Sequence, residues 1–390
     1  MSLDAIRRFH GELTKIRRDL HANPELGMEE TRTSEIVAQK LAEWGIEVHR
    51  GVGGTGVVGV LRAGNGQATI GLRADMDALP MQEANNVDWR SRNPGRMHAC
   101  GHDGHTTMLL GAARYLAETR AFNGTVHFIF QPAEEGLGGA LAMMRDGLFE
   151  RFPCDAIFGM HNRPGMKLGH FGITPGMAMA GGAFFDITVT GKGAHGARPE
   201  ESVDPVLAAC HIGTALQSVV ARNVPPADMA VLSVTRIQSG DAYNIIPQSA
   251  TMSGTARTMK REILTLIEQA IQRVATGVAT GMGAVAEVDF RVLFPPLPNS
   301  PEATQAIADA AAELVGEAMM QRNRPPTSEC EDFSSMLERV PGAYINVGNG
   351  EASAPLHNQH YDFNDEATPY GAALFARLVE RKLPRATVNE

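Results

Sequence analysis

The sequence predicts an α/β protein in which a mixed, largely parallel sheet is covered by helices and is interrupted by a smaller α+β domain. Strand and helix patterns alternate in the first part of the chain, as in parallel sheets. After the small residues at 175–182 the order of predicted strands and helices changes to that of an α+β unit. This unit is about a hundred residues long, which is within the usual length of a domain. A proline-rich stretch at 294–299 ends it. We therefore predict one domain over 1–179 and 294–390 and an inserted domain over 180–293.

The elements of the first part follow from hydrophobic spacing. Apolar residues at helical intervals predict a helix over Leu3–Leu20 and a second helix over Glu29–Trp44, which Gly45 ends. Alternation follows, with strands predicted at 56–61, 69–73 and 125–130 and helices at 106–119 and 139–146.

The rest of the chain is assigned in the same way. In the inserted domain we predict strands at 183–190, 229–237, 250–257 and 286–292 and helices at 204–220 and 260–276. After it we predict a helix at 301–320, a strand at 342–347 and a helix at 368–381. These last elements are expected to complete the first domain.

Composition excludes several classes of function. The net charge of −9 is spread along 390 residues, which disfavours nucleic acid and anionic membranes as partners. No apolar leader and no apolar span of about 20 residues is found. Four widely spaced cysteines suit a reducing compartment better than a disulfide framework. These features predict a cytoplasmic protein.

A loop at 97–105 concentrates residues that bind metal ions. Cys100 and His102 are separated by one glycine, His98 and His105 lie nearby, and a predicted helix follows. A helix N-terminus favours the thiolate, which is the ligating form of cysteine. A buried cysteine beside a surface histidine, or a cysteine nucleophile with a histidine base, are the alternatives.

Two adjacent acids, Glu134 and Glu135, follow the apolar run 126–130 and precede several glycines. Adjacent acids are usually a solvated pair, but next to a buried strand two like charges are costly without a cation. Since neighbouring side chains point in different directions, one carboxylate can bind metal while the other acts as general base and later protonates the leaving amine. A thiol mechanism has no evident task for this pair.

Four further residues are candidates for the same site. His161 ends a strand-like run and His357 lies in a later loop. Each histidine alone is more often a hydrogen-bonding residue than a ligand, so their weight comes from the set. Asp75 and Asp77 follow a predicted strand, where functional residues often gather. They are interpreted as carboxylates that orient a ligand imidazole or as a simple turn.

The inserted domain supplies candidates for substrate binding. His195 stands in a glycine-rich loop that lacks the spacing of a phosphate-binding loop, so it fits better as a donor to a developing oxyanion. Asn244 mixes a polar group with apolar neighbours. Arg257 is interpreted as a bidentate clamp for a substrate carboxylate or as part of a structural ion pair.

Together these motifs resemble one family. The matching segments are Arg18–His21, Asn23–Glu25, Arg73–Pro80, Met97–Asp103, Gln131–Glu135, Gly191–His195 and Glu331–Phe333. They resemble the metal-dependent amidohydrolases of the aminoacylase and glutamate-carboxypeptidase group. The similarity is to the branch with hippurate hydrolase, N-acetyl-amino-acid deacetylases and plant indole-acetyl-amino-acid hydrolases.

The resemblance implies a two-metal, peptidase-like catalytic domain interrupted by a lid domain that also forms a homodimer or higher homo-oligomer. Carried over by position, it implies that Cys100 bridges the two metals. His102 and His161 would complete one metal site, and Glu135 and His357 the other.

The resemblance also implies roles beyond the ligands. Glu134 would be the base, and Asp77 matches an acid that braces a ligand. Other branches have histidine where this chain has Asp75 and aspartate where it has Cys100, so the role of Asp75 stays open. His195 would reach the active site of the other subunit.

The resulting hypothesis is metal-dependent hydrolysis of the amide bond of a small N-acyl amino acid to a free acid and an amino acid. Catalysis is assigned to Glu134, His195 and Asp77, and substrate binding to His195, Asn244 and Arg257. Two divalent ions are expected, and the mixed ligand set accepts Zn, Mn, Co or Ni. The alternatives are a deacetylase of a biosynthetic intermediate, a thiol amidase using Cys100, and a non-catalytic binder.

Overall fold

A computed structural model describes residues 2–385, which form two compact units. Within the described part, the first unit comprises residues 2–178, 298–325 and 332–385, and the second comprises residues 179–297 and 326–331. The first unit is thus assembled from three separate stretches of chain.

Helices and strands alternate through much of the chain. The helices are α1 (Ser2–Arg7), α2 (His10–Ala22), α3 (Thr31–Glu43), α4 (His102–Thr119), α5 (Gly139–Arg145), α6 (Leu148–Arg151), α7 (Pro205–Asn223), α8 (Arg261–Gly281), α9 (Pro301–Val315), α10 (Phe333–Leu337) and α11 (Thr368–Lys382). The strands are β1 (Glu47–Val52), β2 (Gly56–Ala63), β3 (Thr69–Asp75), β4 (Gly124–Gln131), β5 (Ala156–Arg163), β6 (Phe171–Ile173), β7 (Gly176–Met179), β8 (Gly181–Thr190), β9 (Ala194–His195), β10 (Ala230–Gln238), β11 (Ile245–Ile246), β12 (Ser249–Thr258), β13 (Val285–Phe294), β14 (Leu297–Asn299), β15 (Met320–Gln321) and β16 (Gly342–Gly348).

The first unit is built on an eight-stranded sheet with the order β1-β2-β4-β3-β5-β16-β6-β15. Its central strands β4, β3, β5 and β16 are parallel, whereas β1, β2 and β4 form antiparallel pairs. Parallel strands end at the same edge of a sheet. The chain therefore brings the loops after β3, β4 and β16 to one edge.

Burial in the first unit reflects helices packed on this sheet. Nearly every residue of β2 and β3 is buried, as expected of strands covered by helices. Leu13 of α2, Leu110 of α4 and Phe375 of α11 belong to one continuous core with the strands. The predicted fold class, a mixed and largely parallel α/β sheet, is confirmed.

The second unit has a four-stranded antiparallel sheet with the order β10-β12-β8-β13. Ile187 and Val189 of β8 alternate with less buried residues and pack against Ile212 of α7 and Ile267 of α8. These residues form a core separate from that of the first unit. A short ribbon of β9 and β11 lies in the same unit.

Several details differ from the sequence prediction. The single helix predicted over Leu3–Leu20 is wrong, because α1 ends at Arg7 and α2 begins at His10 while both bury the same kind of apolar residue. The helix predicted at 301–320 ends at Val315, since Gly316 adopts a φ of +89°. Strand β1 was not predicted, because its polar residues leave it mostly exposed.

No helix within residues 2–385 combines the length and apolar character needed to cross a bilayer.

Candidate metal centre

The edge of the sheet at which the parallel strands end collects the predicted ligands. Cys100 precedes α4 and His102 begins it, Glu134 and Glu135 follow β4, His161 lies near the end of β5, and His357 lies in the loop after β16. All of these residues belong to the first unit.

Cys100 is shared by two sets of possible ligands. Its sulfur lies 3.4 Å from Nε2 of His161, and the donor atoms of Cys100, His102 and His161 lie within 4.8 Å of one another. The same limit holds for Cys100, Glu135 and His357, in which Nε2 of His357 lies 3.2 Å from Oε1 of Glu135. Two donor sets joined at one sulfur can hold two neighbouring cations.

The electrostatics of the cluster favour a cation. Burial raises the pKa of the Cys100 thiol well above its ordinary value, and the neighbouring glutamate carboxylates raise it further. Burial acts to lower the pKa of His102, but Asp75 and Asp77 outweigh it and raise the pKa to about 10. Burial therefore keeps the Cys100 thiol protonated, and the buried carboxylates keep His102 protonated. A divalent ion would neutralise this surplus of buried negative charge.

The contacts of the histidines also fit metal ligation. Nε2 of His102 is buried and has no hydrogen-bond partner among residues 2–385, although buried polar atoms are normally paired. Its Nδ1 lies 3.2 Å from Oδ1 of Asp77, which leaves Nε2 as the ligating atom. Burial lowers the pKa of His161 to about 4, so this imidazole is neutral and its lone pair is available.

Asp77 and Asp75 orient different histidines. Besides facing His102, Asp77 accepts the backbone N–H of Glu135 on Oδ2 at 2.9 Å, so it contacts two candidate ligands. Oδ1 of Asp75 lies 2.6 Å from Nδ1 of His105. Oδ2 of Asp75 approaches Nε2 of His102 only to 3.8 Å. Asp77 is thus the carboxylate that contacts Nδ1 of a predicted ligand.

The loop that presents the glutamates is strained. Ala133, directly before Glu134, has a φ of +53°, and His357 has a φ of +57°. A left-handed backbone costs a residue with a Cβ about 1–2 kcal/mol, and such strain persists where surrounding contacts fix it. Oε1 of buried Glu30 accepts the N–H of Ala133 at 2.8 Å. The strained turn is therefore fixed by the hydrogen bond that it donates to Glu30, the residue directly before α3.

Helix α4 can begin beside Cys100 only because of a glycine. Gly101 has a φ of +91°. A Cβ at this position would lie 2.4 Å from Nδ2 of Asn162 and 2.5 Å from the hydroxyl oxygen of Tyr361. Both of these groups are buried.

We expect Gly101→Ala to lower the free energy of unfolding by about 2–4 kcal/mol, the sum of left-handed strain and overpacking. Gly277→Ala is the matched control, because Gly277 lies in α8 with nothing within 4 Å of its added Cβ. The control should stabilise the protein by about 0.5–1 kcal/mol. Urea unfolding measures both, and equal effects would contradict the assigned role of Gly101.

The predicted substrate-binding residues lie in the second unit. Pairing of β9 with β11 places His195 opposite Ile245, and Asn244 precedes that residue in the chain. Arg257 lies on β12, where its Nη1 donates to Oγ1 of Thr255 at 2.8 Å. The second unit thus brings His195 and Asn244 together and places Arg257 on its larger sheet.

Two buried polar networks were not assigned roles from the sequence. In one, Nδ1 of His21 lies 2.8 Å from Oδ2 of Asp103 at the start of α4, and Nη1 of Arg17 lies 3.5 Å from the same oxygen. Burial acts to lower the pKa of His21, but the Asp103 carboxylate outweighs it and raises the pKa to about 9. The other network joins Arg73 to Asp332, whose backbone N–H donates to Oε1 of Glu134. Of these residues, only Arg73 gave a local signal, as a charged residue within the mostly apolar first part of β3.

A mixed α/β sheet whose edge collects a thiol, imidazoles and carboxylates in one cluster defines a metal-dependent hydrolase. The family described as peptidase family M20/M25/M40 matches residues 71–381. The chain belongs to this family.

Curated relatives extend along almost the whole chain. Hippurate hydrolase of Campylobacter jejuni is 45% identical, with 96% of this chain and 97% of the relative covered. IAA-amino acid hydrolase ILR1-like 4 of Arabidopsis thaliana is 38% identical, covering 98% and 89%. N-acetylcysteine deacetylase of Bacillus subtilis is 38% identical, covering 96% and 97%.

Solved structures agree with the fold. A putative aminohydrolase from methicillin-resistant Staphylococcus aureus superimposes with a TM-score of 0.90 at 30% identity, covering 98% of each chain. A Bacillus subtilis protein described as a dinuclear metal binding peptidase from the M20 family gives a TM-score of 0.83 at 35% identity, covering 97% and 99%. The predicted enzyme class, a metal-dependent amidohydrolase, is confirmed.

Proposed function

We propose that the protein hydrolyses the amide bond of N-acyl amino acids, releasing a free acid and an amino acid. The observation that carries this proposal is a buried glutamate beside two donor sets that share one thiol. Curated relatives named for hippurate, indole-acetyl-amino-acid and N-acetylcysteine substrates support it. Their named substrates differ in the acyl group and share an amide between that group and an amino acid.

Two divalent cations are proposed to occupy the centre. Cys100 would contact both, with His102 and His161 completing one site and Glu135 and His357 the other. A thiol, imidazole and carboxylate set is compatible with Zn, Mn, Co or Ni. When bound, such ions polarise an amide carbonyl and make water more acidic.

Glu134 is proposed to move the proton. Possible ligand atoms of Glu134, His102 and Glu135 lie within 4.8 Å of one another. Glu134 is nevertheless a member of neither of the two sets that contain Cys100. A carboxylate in this position can accept a proton from the attacking water. It can then deliver that proton to the amide nitrogen as the C–N bond breaks, which releases the amino acid as an amine.

The second unit is proposed to supply substrate contacts. His195 would donate a hydrogen bond to the oxyanion, Asn244 would bind the substrate, and Arg257 would pair with the substrate carboxylate. Asp77 would act by orienting His102 and Glu135.

We also propose a cytoplasmic homodimer formed through the second unit, in which His195 serves the partner's site. The edge strand β10 supports this assembly, because Val231 and Ile237 on it are 43% and 49% exposed. The free state of all four cysteines suits a reducing compartment.

Metal reconstitution and a substrate panel test the proposal together. Protein stripped with chelator would be reloaded separately with Zn, Mn, Co or Ni and offered benzoylglycine, N-acetyl amino acids and an unacylated dipeptide. We expect no activity after stripping, recovery with at least one metal, and preference for acylated substrates in an amino-acid release assay.

Two outcomes would overturn it. Activity that persists in excess chelator but is lost after thiol alkylation would indicate a thiol amidase that uses Cys100. Failure of every metal-loaded form to cleave any acyl amino acid would remove the proposed substrate class. A strong preference for acetyl over benzoyl substrates would instead favour the second candidate, an N-acetyl deacetylase, which the N-acetylcysteine deacetylase relative supports.

A further inference from the structure

A buried carboxylate far along the chain brackets the loop that carries Glu134. Oδ1 of Asp332 accepts a hydrogen bond from Nε2 of Gln131 at 2.7 Å. Oδ2 accepts the backbone N–H of Ala140 at 2.9 Å. Gln131 is the last residue of β4 and Ala140 lies in the first turn of α5. One side chain therefore ties both ends of the loop 132–138.

The same residue also contacts the middle of that loop. The backbone N–H of Asp332 donates to Oε1 of Glu134 at 3.4 Å. Asp332 is 0% exposed and Glu134 is 7% exposed, so water does not easily replace this bond. At 3.4 Å this bond is longer than the usual N–H···O range, so a small shift of the Asp332 backbone is enough to break it.

The buried side chain of Arg73 connects Asp332 to Asp75, which lies near the predicted metal ligands. Arg73 donates from Nη2 to Oδ1 of Asp332 at 3.2 Å and from Nη1 to Oδ2 of Asp75 at 2.8 Å. Its Nε donates to Oε1 of Gln131 at 2.9 Å. All three charged side chains are fully buried. A buried ion set with this many hydrogen bonds is rigid, because breaking any pair leaves an uncompensated charge.

We propose that Asp332 is a positioning residue for the general base: it fixes both ends of the Glu134 loop and orients the Glu134 carboxylate through its own backbone N–H. Arg73 donates hydrogen bonds to both Asp332 and Asp75 and so fixes the position of one carboxylate relative to the other. This inference rests on the proposed role of Glu134 as the base.

Asp332→Asn tests it in the metal-loaded enzyme. Asparagine has nearly the same size as aspartate, but its amide nitrogen cannot accept a hydrogen bond. One of the two bonds that fix the ends of the loop is therefore lost. We expect kcat to fall about 10- to 100-fold, the effect of a slightly misplaced catalytic group. KM should stay within about threefold, since the loop rather than the substrate contacts is loosened. Metal content by mass spectrometry should be unchanged.

Asp365→Asn is the matched control. Asp365 also accepts from two arginines, Nε of Arg17 at 2.7 Å and Nε of Arg18 at 2.8 Å. It lies outside the loop 132–138 and outside both donor sets around Cys100. Its loss should lower stability but leave kcat within about twofold. Should Asp332→Asn fail to fold, Asp332→Glu keeps the charge beside Arg73 and carries the same test.

A double mutant separates positioning from general damage. If Asp332 acts through Glu134, adding Asp332→Asn to Glu134→Gln should change the residual kcat less than about twofold. A further 10-fold loss would overturn the inference, as would a loss of metal, a change confined to KM, or a kcat equal to that of Asp365→Asn. Should Glu134→Gln alone leave kcat intact, the proposed base fails first, and the two failures are distinguishable.

Discussion

Replacing Glu134 by glutamine should lower kcat by about 10²–10⁴-fold, the usual contribution of a general acid–base group. The amide has nearly the same shape as the carboxylate but cannot accept the proton of the attacking water. Glu134 is absent from both ligand sets that share Cys100, so the loaded protein should retain its metal. Steady-state kinetics and metal analysis of the same preparation check both parts.

Glu135→Gln is the control for this prediction. Glu135 belongs to one of the two sets, and its backbone N–H is fixed by Asp77. Burial raises the pKa of its carboxyl, but His357 and His102 more than reverse this effect, so Glu135 is ionised. Removing that charge should reduce metal content as well as activity. If Glu134→Gln lost metal and Glu135→Gln kept it, the two assignments would have to be exchanged.

The general location of the site was predictable because it depends on strand direction. The runs at 69–73 and 125–130 were predicted as strands, and the acids just beyond them were candidates for one site because functional residues often gather at strand ends. The structure brings Asp77 and Glu135 within 2.9 Å of each other at that edge. Every residue of β3 after Thr69 is buried, so the charged side chains of Arg73 and Asp75 stand out within it.

Other features of the site have no local sequence pattern from which they could be predicted. Arg73 and Asp332 are separated by 259 positions, so only folding brings them together. The identity of Ala133 does not indicate a φ of +53°, because alanine normally avoids that conformation. The gap between α1 and α2 was missed because apolar spacing continues across it. The domain boundaries and the roles of individual site residues remain predictions.

Cys100→Ser should have the second large effect, because Cys100 is the residue that both ligand sets share. Each set would lose one of three protein ligands, whereas the loss of even an outer hydrogen-bonding partner costs about 10–100-fold in metal affinity. We expect metal content after dialysis to fall below one ion per chain, with loss of activity. The stabilisation that bound metal provides, about 2.7 kcal/mol at a hundredfold excess over Kd, should disappear.

Cys154→Ser is the control for the thiol itself. Cys154 lies 3.4 Å from Nδ1 of His127 and donates to the carbonyl oxygen of Phe152, and no candidate metal set among residues 2–385 includes it. This variant should keep its metal and its metal-dependent rise in Tm. Since the metal-free forms of both variants differ from the parent by only one atom, their unfolding without metal should be similar. Full metal loading of Cys100→Ser would show that the two sets do not depend on a shared sulfur, and the role of Cys100 as a ligand of both cations would then have to be abandoned.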